Sequence, residues 1–124
     1  MQRLEFSRVY SYANEDNGIA VPVVLRSGTN KVHLAASIDT GAAFCLFGAE
    51  LAGSFGLDLT SGVPKRFRTA NSSFEAFGHE IEISVLGVVT YSMVYLFADP
   101  SITKNVLGRV GWLDRVRLGL IDHE

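Results

Sequence analysis

The chain reads as an all-β protein with one or two short helical turns, and three observations predict it. Its apolar stretches are of strand length and end at Gly, Asn, Asp or Pro. Several alternate with a period of two, as where Leu4, Phe6, Arg8 and Tyr10 interleave with Glu5, Ser7, Val9 and Ser11. Helical spacing is confined to residues 48–55, through Leu51 and Phe55, and to residues 110–114.

Taken in order, residues 4–12 form the first expected strand, and Asn14-Glu15-Asp16-Asn17-Gly18 turns the chain. Residues 19–25 follow; Pro22 has no N–H to give a ladder and so belongs at a sheet edge or a strand start. Ser27-Gly28-Thr29-Asn30 turns again, and residues 31–38 run into Asp39. A further apolar strand is expected over residues 43–47, then the helical turn. Residues 65–70 and 74–86 are the arms of a long hairpin with Asn71-Ser72-Ser73 near its tip. Gly87 reverses the chain into residues 88–97. Val106-Leu107-Gly108-Arg109 is a short strand ending in Gly, residues 110–114 a second helical turn, and residues 115–121 a last strand. No repeat, linker or low-complexity segment divides the chain, so residues 1–124 are expected to be one domain. The pattern leaves a small closed barrel and a sandwich both open.

A chain of 124 residues that is 48% hydrophobic can bury a core without disulfides or metals. Eleven Lys or Arg against thirteen Asp or Glu give a net charge of −2, which excludes the electrostatic footprint of a nucleic-acid or anionic-membrane binder. The basic residues of Lys65-Arg66-Phe67-Arg68 and Arg115-Val116-Arg117 alternate across an apolar residue, as on the wet face of a strand. Cys45 is the single cysteine; it fits a reducing compartment and reads as a small buried hydrophobe. The N-terminal residues lack the apolar core of a secretory signal, and the greasiest stretch, residues 92–98, is too short to cross a bilayer. A cytoplasmic protein is the expectation. His33, His79 and His123 lack metal-ligand spacing, so neither metal nor cofactor is expected. His79 reads as solvated, Trp112 as a core plug, and Asp58, Asp99 and Asp114 as caps. Phe67, Phe74 and Phe77 either line a cleft or cover the core.

The chemistry rests on Asp39-Thr40-Gly41-Ala42, a carboxylate on a tight turn between two apolar strands. Two carboxyls sharing one proton supply both the base that activates a water and the acid that protonates a leaving nitrogen, and they titrate as a unit. The chain holds one such turn and is too short for a second lobe, so a hydrolytic site would be assembled from two copies, whose two-fold axis sets identical residues face to face. Gly41 permits the turn and brings its N–H within reach of the carboxylate; Thr40 has a hydroxyl able to cross to the partner loop. Ala42 offers no hydroxyl, which points to activity in mild rather than strong acid.

On Ile38-Asp39-Thr40-Gly41-Ala42 and Val106-Leu107-Gly108-Arg109 the chain, from about residue 19 to 122, resembles the retropepsins, the single-lobe aspartic peptidases; Gly111-Trp112-Leu113-Asp114 is similar to the bacterial members. The resemblance implies a homodimeric all-β fold, a polypeptide substrate bound extended beneath two flaps, and no cofactor. It implies that Asp39 is catalytic, that Thr40, Gly41 and Ala42 complete the active-site loop, with Thr40 gripping the partner and Gly41 contacting substrate backbone. Ala70, Asn71, Ser72, Ser73 and Phe74 would form the flap, and Leu107, Gly108 and Arg109 the second motif. Retroviral members carry an acid where this chain has Ala43, and that acid pairs with the Arg matching Arg109. Here Arg109 is expected to turn to Asp114 or Asp122, unless the dimer is built differently. The flap tip also lacks the usual glycines and is expected to be stiffer. Two further readings stay open: a catalytically silent dimeric peptide-binding or assembly module, and a monomeric β-barrel with a coincidental turn.

Overall fold

The computed structural model describes residues 19–114. The strands expected over residues 4–12 and 115–121, and the Asn14–Gly18 turn, lie outside the described residues.

Strands β1 (Ile19–Ser27) and β2 (Asn30–Ile38) form an antiparallel hairpin in register from Ile19↔Ile38 to Ser27↔Asn30. Its two-residue turn needs a positive φ at the first central position, and Gly28 supplies it at 61°. Among the described residues Pro22 pairs only with Ala35 across β2, which suits a residue with no N–H to give a second ladder. Past Asp39 the chain enters β3 (Leu46–Phe47), shorter than the expected residues 43–47, then helix α1 (Glu50–Ser54). Leu51, Ala52 and Phe55 bury the helix face in the core. A 3₁₀ turn at Leu59–Ser61 follows; Asp58 caps it by accepting from the Thr60 N–H at 3.1 Å. Strands β4 (Val63–Arg68) and β5 (Ser73–Val85) are the arms of the expected hairpin. Leu86 at φ 52° and Gly87 at φ 83° turn the chain into β6 (Val88–Phe97). The last described strand is β7 (Val106–Leu107).

All seven strands join one sheet in the order β1-β2-β7-β3-β6-β5-β4, and β1 also pairs with β5. Strand β7 inserts between β2 and β3, parallel to the first and antiparallel to the second. The chain must therefore cross the end of β7 to pass from β2 to β3, and Asp39-Thr40-Gly41-Ala42 is that crossing. The main core gathers Val21, Val23, Leu25, Phe47, Ile81, Ile83, Leu96 and Leu107, with Trp112 plugging it as expected at 4% exposure.

Strand β5 serves two layers. Its first half pairs with β4 and buries even positions, Ala76 and Gly78; its second half pairs with β1 and buries odd positions, Ile81, Ile83 and Val85. The change of phase falls at His79 and Glu80. A strand that changes partners and faces in this way turns a sheet corner.

Candidate active site

The Asp39 turn is held by backbone bonds on both sides. The Asp39 N–H donates to the Leu107 carbonyl at 3.0 Å, and the Ala42 N–H to the Asp39 carbonyl at 3.1 Å. The Arg109 and Val110 N–H groups then donate to the Ala42 and Ala43 carbonyls at 3.0 and 2.8 Å. The Gly41 N–H donates to Asp39 Oδ1 at 2.9 Å, as the sequence predicts, and a Cβ on Gly41 would stand 3.2 Å from that oxygen. Asp39, Thr40 and Gly41 are exposed. The structure thus brings the Asp-Thr-Gly-Ala turn together with Leu107, Gly108 and Arg109.

Gly108 permits the closest approach. A Cβ there would overlap the Phe44 carbonyl, and the Gly108 N–H donates to Cys45 Sγ at 3.4 Å. Burial pushes the Cys45 thiol up to about 11, partly offset by that donor, so it is a buried hydrophobe and no nucleophile at neutral pH. Asn105 ties the same region, accepting from the Gly48 N–H at 3.3 Å and donating to the Ala35 carbonyl at 3.4 Å.

Two expectations are corrected, at residues 110–114 and at His79. Residues 110–114 form no helix: the Leu113 and Asp114 N–H groups bond the Gly108 and Arg109 carbonyls five residues back, a wider turn that a positive φ at Gly111 allows. Arg109 is exposed, and Asp114 Oδ1 accepts from the Gly111 N–H; Asp122, the other expected partner of Arg109, lies outside the described residues. His79 is half-buried rather than solvated, its Nε2 3.0 Å from the Leu59 carbonyl.

The hairpin tip is exposed at Ala70, Asn71, Ser72 and Ser73. Thr69 and Ser72 clasp it. The Thr69 N–H bonds the Ser72 carbonyl at 2.8 Å and the Ser72 N–H bonds Thr69 Oγ1 at 3.1 Å. Phe74 is half-buried and stacks on Phe67 at 5.2 Å. Phe67 meets Phe44, which leaves the Asp39 turn, at 5.7 Å, and Tyr95 at 5.5 Å. This aromatic wall joins the tip end of the hairpin to the segment that follows the Asp39 turn. Phe67 and Phe74 belong to it, whereas Phe77 faces the other side of β5. Phe44 and Tyr95 went unnoticed in the sequence; the signal was their odd or even phase relative to Cys45 and Leu96, which are fully buried. Among the described residues no group of three or more His, Cys, Asp or Glu is placed to hold a metal.

A carboxylate turn crossing an inserted strand, with one hairpin beside it, defines a single-lobe aspartic-protease fold. A retropepsin-like aspartic protease from Rickettsia conorii has this architecture: it superimposes with a TM-score of 0.66 over 88% of each chain at 23% identity. The chain belongs to the aspartyl protease family, which its sequence matches over residues 21–112. Comparison with curated proteins returns no match.

Proposed function

We propose that the protein is a homodimeric aspartic endopeptidase in which Asp39 of each copy contributes one carboxyl to a shared, water-activating pair. The observation that carries this reading is the exposed Asp39 carboxylate fixed by the Gly41 N–H on a turn bonded to β7. One carboxylate of the pair takes a proton from water as it attacks the peptide carbonyl; the other, protonated, donates to the leaving nitrogen. Pre-positioning matters because small displacements of such groups cost large factors in rate. Thr40, exposed beside Asp39, is suited to reach the partner loop, and Gly41 to approach substrate backbone. Residues 70–74 would close over a peptide bound as an added strand, recognised through its backbone and alternate side-chain pockets. Leu107, Gly108 and Arg109 anchor the loop. We assign the whole of residues 1–124 to one such domain. A lone buried cysteine fits work in the cytoplasm, and no helix among the described residues is long and apolar enough to cross a membrane.

The test is cleavage of an unstructured protein such as casein across pH 4 to 7, with wild type and Asp39→Asn side by side and sedimentation of both. Cleavage by wild type alone, with both forms folded and dimeric, is the expected result. Equal cleavage by Asp39→Asn would overturn the mechanism. A folded dimer that cuts nothing and still binds peptide would favour the silent binding module.

A further inference from the structure

On β4, Arg66 and Arg68 point to solvent, as expected, but Lys65 does not share their face: it and Phe67 lie on the half-buried side. Lys65 Nζ stands 4.8 Å from the centre of the Phe44 ring and 5.7 Å from that of Phe67. Its cross-strand neighbour is Ala76, and the adjacent Glu75 is committed to Arg66 at 2.6 Å. Among the described residues Lys65 takes part in no ion pair. An ammonium resting on two rings gives up part of its hydration, and ring attraction of about 0.5–2 kcal/mol returns only some of it. The rings also hold the long side chain in place, so a carboxylate that arrived would find the cation already ordered.

Phe44 follows Asp39 by five residues and the end of its turn by two, so on the endopeptidase reading this caged charge belongs to the edge of the substrate path. We infer that Lys65 is a specificity-determining residue that reads one acidic side chain, Glu or Asp, of an extended peptide lying beside the Asp39 turn. The inference rests on the endopeptidase reading and names its substrate class. The carboxylate pairs with the ammonium at the mouth of the aromatic wall, and the rings pack the methylenes of the same side chain. Because side chains of a bound strand alternate, the preference belongs to a single position and not to peptide charge in general.

The test uses full-length protein and a panel of fluorogenic peptides in which one Glu is moved along an otherwise uncharged sequence, each matched by a Gln peptide. A partly desolvated ion pair is stronger than an exposed one, so at one position Glu should raise kcat/KM on the order of tenfold over Gln. Lys65→Met should bring that ratio close to one, and Lys65→Glu should invert it in favour of a Lys peptide. Lys65→Gln replaces Lys65→Met should the latter fail to fold. A ratio unchanged in the Lys65 variants, or one that disappears in Arg68→Met instead, overturns the inference. If wild type cuts no peptide, the endopeptidase reading fails separately; equilibrium binding of the labelled Glu and Gln peptides then decides, and equal affinities overturn the acidic preference.

Discussion

Gly108 is the residue whose substitution has the plainest consequence. A methyl group there meets the Phe44 carbonyl, which is backbone and cannot swing away as a flexible side chain would. Gly108→Ala is expected to destabilise the fold by about 3 kcal/mol, since overpacking against main chain forces strands apart. A urea titration checks it; an unchanged midpoint would contradict the close approach. The glycine was legible from its motif, but the atom it accommodates was not, because that contact joins segments 64 positions apart in sequence. Asp39 was legible for the opposite reason: its turn is local, and the donor to its carboxylate lies two residues on. Asp99 also followed its local pattern, as Asp99 Oδ1 accepts from the Ser101 N–H and hydroxyl at 2.9 and 2.7 Å. These donors hold its carboxyl below the ordinary carboxylate range. The folded value is the lower one, so this turn adds stability at neutral pH and loses it as pH falls through that lowered value.

Among the elements, the β4–β5 hairpin tip owes its shape to Thr69 and Ser72 rather than to glycine. Thr69 Oγ1 accepts from the Ser72 N–H and lies 3.0 Å from the Ser72 hydroxyl. Thr69→Ala should leave overall stability within about 1 kcal/mol, because these bonds are exposed, while loosening the tip itself. Hydrogen exchange over residues 66–76 should speed up with the melting temperature nearly constant; unchanged exchange would mean the clasp holds nothing. The long strands were readable because their alternation and turn residues agree. Strand β3 came out shorter than its apolar run suggested. Residues 42–44 cross over the end of β7 and meet residues 109–110 through isolated bonds, where no continuous ladder can form. Lys65 shares the phase of Phe67 and not that of Arg66 and Arg68, which puts it on the half-buried side although its charge suggested solvent.

For the molecule as a whole, the all-β class followed from punctuation and period, whereas the choice between barrel and sandwich needed pairings such as β1 with β5 that join distant segments. The proposed site demands two copies, and mass action then makes stability depend on concentration. The melting temperature should rise with protein concentration, and sedimentation should give a mass of two chains where cleavage is observed; a single-chain mass in a cleaving sample would refute the shared site. The divided strand β5 has a consequence of a different kind. Its even positions near the tip meet the aromatic wall and its odd positions near the base meet the main core. Substitutions at 74, 76 and 78 therefore act on a different layer from those at Ile81, Ile83 and Val85, whereas losing residue 79 or 80 would throw one half out of phase with the other. The strand is thus intolerant of insertion or deletion, a constraint that should mark the divergence of descendants of this chain.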